Sequence, residues 1–295
     1  MTANSNPSIK KLRHIQHATE RHWVGDGFPV QTLFAYPAMG AVLSPFLLLD
    51  YAGPVDFPPT TRRLGVGEHP HRGFETVTIV YAGEVEHRDS SGGGGRIGPG
   101  DVQWMTAASG VVHEEFHGRE FARQGGRFEM IQLWVNLPAK DKMTQPRYQG
   151  ILNNQIPRVD LPDDQGSVRV IAGEYAGAKG PAMTFTPIHL WDLRLNSTSP
   201  IDLSLPDGYT AALVLLKGTL TVDTDRAIRH AEVAIFDRAG ETLCIEHADD
   251  VTALLLCGEP INEPIVGSGP FVMNTEAEIR QAMMDYQSGR MGHLS

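Results

Sequence analysis

The chain has 295 residues, 41% of them hydrophobic and 20% charged, enough for a real core and more than one average domain carries. A formal charge of −10 and a pI near 5.6 oppose direct binding to nucleic-acid phosphates or anionic lipid. The 31 glycines and 20 prolines favour many short strands joined by turns over a helical bundle.

The first stretch, MTANSNPSIKKLRHIQ, contains no apolar run of the kind a signal peptide needs, and Lys10, Lys11 and Arg13 read as a solvated basic tail. No run of about 18 apolar residues occurs, so no membrane span is expected. A soluble protein of the cytoplasm is the expectation.

The first chemical signal is His69-Pro70-His71. In extended chain, residues i and i+2 share a face, so both imidazoles can reach one point. Pro70 lacks a backbone donor and suits an edge strand. Thr76 to Tyr81, β-branched and aromatic, reads as a strand that Ala82-Gly83 ends. Gly92 to Gly95 reads as a loop, and Pro99-Gly100-Asp101 as a turn launching a strand over Val102 to Met105. In His113-Glu114-Glu115, His113 and Glu115 share a face and Glu114 points away. Met130 to Val135 reads as a buried strand.

From Pro138 to Gly166 the sequence turns polar and proline-punctuated, which places a connector at 141–166. A second strand-rich stretch runs from Val168 to Leu256. Its segment Ala211 to Leu216 followed by Lys217-Gly218 resembles Thr76 to Tyr81 followed by Ala82-Gly83, and superposing Gly83 on Gly218 points to an internal duplication. His230-Ala231-Glu232 repeats the H-x-E spacing with no His pair before it, and reads as a surface turn. Cys244 and Cys257 lie in apolar surroundings and read as free buried thiols. Thr275 with Glu278 forms a capping box for a closing helix, with Ile279, Met283 and Tyr286 on one face as core contacts and Gly289 just past the last turn.

Two strands of one barrel lying side by side would bring His69, His71, His113 and Glu115 to a single volume. Three imidazoles and a carboxylate suit Fe(II), Ni, Cu(II), Zn or Mn, and leave one or two coordination positions open. A single divalent ion on these four side chains is therefore expected.

Glu68-His69-Pro70-His71-Arg72-Gly73-Phe74-Glu75-Thr76-Val77 resembles the signature of the pirin family of cupins. So do Pro99 to Ala107 running on to His113-Glu114-Glu115, the stretch Gln132 to Pro138 (QLWVNLP), and the tail Gly269 to Thr275 (GPFVMNT). The resemblance covers nearly the whole chain. It implies an all-β fold of two tandem cupin barrels of the jelly-roll type with a short C-terminal helix. The expected domains are 1–140 with the metal, a connector at 141–166, 167–260 without metal, and a tail with the helix at 261–295. The family's ligands fall on His69, His71, His113 and Glu115. The general cupin pattern would use Glu75, which makes it the alternative fourth ligand and otherwise a neighbour of the bound ligands. His117 shares the strand face of His113 but is placed at the rim. His14, His17, His22, His87, His189, His247 and His293 read as surface or core residues.

By the glycine superposition, His69 and His71 correspond to Ser204 and Pro206, and His113 to Ala248 beside His247. No metal is expected in the second barrel. The resemblance further implies quercetin 2,3-dioxygenase-like activity, in which an iron(II)-type centre lowers the pKa of a flavonol 3-hydroxyl and Glu115 or Glu75 takes the proton, before dioxygen opens the ring and carbon monoxide leaves. The alternative is an iron-dependent redox-sensing regulator that binds a transcription factor or a metabolic enzyme. A monomer with a small aromatic substrate, and no nucleic-acid or membrane partner, is expected.

Overall fold

The structure is a computed structural model that describes residues 8–223 and 226–294. The first seven residues of the stretch read for a leader lie outside the described residues. Among the described residues, no helix is long and apolar enough to cross a membrane.

In chain order the leading strands are β1 (Leu12–His17), β2 (His22–Val24), β3 (Phe28–Ala35), β4 (Phe46–Phe57), β5 (Gly65–His71), β6 (Phe74–Ala82), β7 (Val85–Asp89) and β8 (Gly94–Ile97). Next come β9 (Val102–Thr106), β10 (Val111–His117), β11 (Gly126–Asn136), β12 (Arg147–Ile151), β13 (Arg158–Asp160), β14 (Gly166–Ala172), β15 (Glu174–Tyr175) and β16 (Ala178–Lys179). The rest are β17 (Ile188–Ser197), β18 (Ile201–Ser204), β19 (Thr210–Asp223), β20 (Arg226–Ile228), β21 (Glu232–Phe236), β22 (Thr242–Ile245), β23 (His247–Gly258), β24 (Val266–Ser268) and β25 (Phe271–Met273). Three α-helices accompany them among the described residues: α1 (Tyr36–Leu43), α2 (Arg119–Gln124) and α3 (Glu276–Gln287).

These elements form two compact units that interleave along the chain. The leading unit comprises Thr19–Gln155 with Ile261–Ser295, and the trailing unit comprises Met1–Ala18 with Ile156–Pro260. The sequence boundaries differ from these for two reasons. β1 hydrogen-bonds to β21, so the N-terminal segment belongs to the trailing unit. Residues 261–295 join the leading unit, where Val272 N–H donates to the Arg72 carbonyl. Nor is 141–166 a bare connector, since β12 pairs with β9 and β13 with β14.

The leading unit has a seven-strand antiparallel sheet in the order β12-β9-β6-β11-β4-β3-β2 and a second sheet in the order β5-β10-β7-β8. β6 runs through the middle of the large sheet, and its β-branched and aromatic sequence FETVTIVYA is buried from Phe74 to Val80. A strand buried on both faces needs such a continuous run in place of alternation. Phe28, Val80, Val85, Ile97, Phe128 and Met130 pack as one cluster. Truncating Phe128 to Ala there is worth about 3–5 kcal/mol.

The trailing unit repeats the plan. Its large sheet runs β1-β21-β19-β23-β17-β14-β13, with β20 added on β19, and a smaller ladder pairs β18 with β22. Strand for strand, β19 stands where β6 stands in the other unit, and both long strands meet a glycine in left-handed conformation: Gly83 at φ 84° and Gly218 at φ 82°. A Cβ at Gly218 would lie 2.3 Å from the Asp249 carbonyl oxygen, so only glycine fits that bend. The duplication is thus visible in strand order. The fixed offset does fail beyond Gly218, because the connections there are shorter. Ala248 lies in β23, the counterpart of β11, while β22 is the counterpart of β10.

The capping box holds, with Thr275 Oγ1 accepting from Glu278 N–H at 3.2 Å. Met283 and Tyr286, expected in the core, are 38% and 40% exposed. The helix turns Ile279, Ala282 and Asp285 inward instead. Asp285 takes the inner position because buried Arg72 donates to it at 2.7 Å.

Candidate metal centre

β10 is the middle strand between β5 and β7, and this register assembles the site. His113 lies directly opposite His69 on one side and Asp89 on the other, while Glu115 lies opposite His87. Opposed residues of an antiparallel pair share a face, so all five side chains project the same way. The β5 ladder slips between His113 and Glu115, an irregularity that re-aims a side chain relative to regular pairing. β5 is an edge strand, which accommodates Pro70.

His69, His71 and His113 offer nitrogens that all lie within 4.8 Å of one another. Their ring centroids are 4.2 to 4.9 Å apart. His71 and His113 are buried and His69 is partly exposed. Burial, reinforced by the neighbouring His69, pushes the His71 pKa down to about 3. Burial holds His113 well below the ordinary histidine value, with His69, His71 and His87 adding to the effect. Both rings are therefore neutral near pH 7, the form that ligates a metal.

The hydrogen bonds select the tautomers. His69 Nδ1–H donates to the Gly67 carbonyl at 2.8 Å, and His71 Nδ1–H to the Pro270 carbonyl at 3.3 Å. His87 Nε2–H donates to Asp89 Oδ2 at 3.1 Å, and its Nδ1 faces the amide nitrogen of Gln103 at 3.3 Å, so that Nδ1 is an acceptor. His113 Nδ1, 3.2 Å from the same atom, must then carry the proton. All three ligand-type imidazoles thus commit Nδ1 to a local acceptor and leave the lone pair on Nε2. His113 Nε2 is buried with no hydrogen-bond partner. An orphaned ring nitrogen costs free energy in a folded core unless something fills the position. A metal ion does so, and the donor set fits one.

Glu115 belongs to a neighbouring group with His87 and His113, whose ligand atoms also lie within 4.8 Å of one another. Gln103 donates to its Oε1 at 3.1 Å and Gln132 to its Oε2 at 2.8 Å. The carboxylate is thus held in place, on the His113 side of the cluster. Glu75 falls in neither group. It accepts from Thr106 Oγ1 at 2.6 Å, and burial pushes its carboxyl up to about 7 against the pull of Thr106, Trp104 and Arg147.

Four participants are not singled out by the sequence: His87, Asp89, Gln103 and Gln132. His87 was read as a surface or core residue, yet it lies against His113 and stacks on Tyr148 with centroids 5.1 Å apart. Burial pushes Asp89 up, but hydrogen bonds from His87 and Ser91 outweigh it and hold the carboxyl below its usual range. His87-Arg88-Asp89 has the same i, i+2 spacing as the two candidate pairs, His69 with His71 and His113 with Glu115, and that is its available signal. Gln103 and Gln132 sit in the quoted motifs as polar residues inside apolar strands. His117 is buried elsewhere, donating to the Gly27 carbonyl at 2.8 Å and packed among Phe28, Phe57 and Phe128. In the trailing unit, Ser204 faces Thr242 on the ladder that corresponds to β5 and β10. His230 is exposed in a turn, as read from sequence.

The Pirin family model matches residues 27–135, and the Pirin C-terminal cupin domain model matches residues 190–292. The chain belongs to the pirin family. It is 58% identical over 282 residues to a Pseudomonas aeruginosa protein provisionally named a quercetin 2,3-dioxygenase, covering 96% of this chain and 98% of that one. It is 36% identical over 258 residues to human pirin, covering 85% and 83%. The crystal structure of a quercetin 2,3-dioxygenase from Acinetobacter baumannii superposes with a TM-score of 0.94 at 52% identity, covering 98% of this chain and all of that one. The two units are accordingly the two cupin domains of a bicupin, and the leading one carries a metal-binding cluster of histidines beside a glutamate.

Proposed function

We propose that this pirin-family chain is a metal-dependent dioxygenase that opens the ring of a flavonol-like substrate with dioxygen. His69, His71, His113 and Glu115 would hold one divalent ion, with Fe(II) as the first choice among Fe(II), Ni, Cu, Mn and Zn. One observation carries the reading: three buried or half-buried imidazoles converge with every Nδ1 spent on a local acceptor, leaving Nε2 of His113 without a partner. The names of the Pseudomonas and Acinetobacter relatives support the substrate class.

When bound, the ion supplies Lewis acidity that lowers the pKa of the substrate's 3-hydroxyl. The remaining work falls to the chain itself. Glu115 is assigned the general base, since its carboxylate adjoins His113 whereas Glu75 stands outside both groups. Gln103 and Gln132 keep that carboxylate oriented. His87, backed by Asp89, holds His113 in the tautomer a ligand needs.

Aerobic incubation of the iron-loaded protein with quercetin, followed by loss of the flavonol absorbance, tests the activity. Metal-dependent turnover is expected, and its absence would remove the enzyme reading. Elemental analysis of protein purified without added metal tests the site independently and identifies the ion.

A further inference from the structure

In the leading unit, a pocket of about 490 Å³ opens where the loop between β4 and β5 meets the end of β10 and α2. None of the chemistry above uses it. Arg62, Arg63, Arg119 and Arg123 line it together with Thr60 and His117, and no carboxylate does among the described residues. Thr60 N–H donates to the Ala122 carbonyl at 2.7 Å, which ties the loop to the helix. Four positive charges on one wall reverse the local sign of a chain whose net charge is −10.

Each guanidinium is steadied from outside the wall. Arg62 meets Asp26 at 3.1 Å, Arg63 meets Glu114 at 3.1 Å, Arg119 lies 3.7 Å from Glu86, and Arg123 pairs with Glu120. Arg63 also lies over the Phe116 ring, 3.9 Å from its centroid. The hydrogen bonds of Arg62, Arg63 and Arg123 to these carboxylates each use one nitrogen, whereas a guanidinium has five N–H donors. Donors therefore remain for a ligand. Thr60 Oγ1 accepts from Arg62 N–H at 3.1 Å, so its own O–H is free to donate as well.

His117 gives the pocket a different feature. It is 4% exposed and packed among Phe28, Phe57, Phe121 and Phe128. Its Nε2–H is committed to the Gly27 carbonyl. Nδ1 has no hydrogen-bond partner in the protein and is not among the sealed polar atoms of the core, so its lone pair reaches the pocket the residue lines. Enclosure by aromatic rings favours the neutral imidazole. An acceptor set among four cationic donors calls for an anion that carries a proton of its own.

We propose that this pocket binds inorganic hydrogenphosphate, whose P–OH donates to His117 Nδ1 while its other oxygens accept from the arginines and Thr60. Inorganic phosphate keeps at least one proton at pH 7. A phosphomonoester has largely lost its last one there, since that pKa is about 6, and sulfate has none. The free ion is therefore the form that satisfies both halves of the wall.

Isothermal titration of the full chain at pH 7 compares phosphate with sulfate and with phenyl phosphate. The series is repeated on His71→Ala, which disables the metal cluster and so removes phosphate held by an ion there. Saturable one-to-one binding of phosphate is expected in both proteins, with sulfate and phenyl phosphate weaker by about tenfold or more. Joint Arg62→Gln and Arg123→Gln substitution, at exposed positions, should weaken phosphate by about tenfold. His117→Phe should bring phosphate and sulfate to equal affinity, and the arginine pair stays decisive if that variant fails to fold. The proposal is overturned by no saturation into the millimolar range, by sulfate or phenyl phosphate binding as tightly as phosphate, by unchanged affinity in the arginine double variant, or by phosphate binding that His71→Ala abolishes.

Discussion

The two units share a strand order and differ in what a few strand positions carry. In the leading unit the ladder of β5 with β10 sets His69 opposite His113, and β7 adds His87 and Asp89. In the trailing unit the equivalent ladder sets Ser204 opposite Thr242 and Leu203 opposite Leu243. Both units fill their interiors with aliphatic and aromatic side chains. The framework is therefore held by packing that does not depend on the ligand set, and the chemistry rests on side chains that can be exchanged without loss of the sheet.

The widest separation of the units comes from His71→Ala. Metal content should fall to a small fraction of the wild-type value while thermal unfolding stays cooperative. Unchanged stoichiometry would mean that the leading unit's histidines are not the ligands. Glu115→Gln should remove flavonol turnover by a factor on the order of 10²–10⁴ and weaken metal binding as well. Retained turnover would shift the base role to Glu75. Asp89→Asn acts at one remove, because it loosens the proton arrangement His87 imposes on His113. A loss of about 10–100-fold in metal affinity is expected by competition with a chelator, and none would show that His113 needs no support.

Acid should also distinguish the units. Burial tends to raise the Asp285 pKa, but hydrogen bonds from Arg72, Gln281 and Arg290 outweigh it and bring the carboxyl to about 2, against an ordinary 3.8. The stabilisation is fully present above about pH 4 and disappears as pH falls toward 2. Hydrogen exchange in α3 and in β5 beside Arg72 should rise together over that window, and Asp285→Asn should flatten the response. The smallest effect belongs to Ser204→Ala with Thr242→Ala, which should leave metal stoichiometry unchanged. A measurable drop would show that the trailing unit contributes ligands after all.

Much of the leading site was legible because strands have a period of two. His69 with His71, and His113 with Glu115, each announce a shared face through spacing alone. His87 with Asp89 announces the same thing. Its importance depends on β7 lying beside β10, a long-range pairing that spacing does not encode. A fixed offset misplaces Ala248 because loop lengths differ between the repeats, and only hydrogen-bond register restores the correspondence with Thr242. Apolarity alone would turn Met283 and Tyr286 inward. The helix is rotated by the ion pair of Asp285 with Arg72, two residues separated by 213 positions.

The same ion pair belongs to a broader dependence of the leading unit on late-made chain. His71 donates to the Pro270 carbonyl, Arg72 to Asp285, and the buried ammonium of Lys142 to the carbonyls of Gly73 and Val272. A ribosome working at about 5–20 residues per second needs roughly ten to thirty seconds to travel from β10 to β25. Throughout that interval the histidines exist, with Gly67 and His87 beside them, but the Pro270 carbonyl that orients His71 and the Asp285 partner of Arg72 do not. Nascent polypeptide should therefore acquire its ion only once the whole trailing unit has emerged, which makes loading a final step of biogenesis.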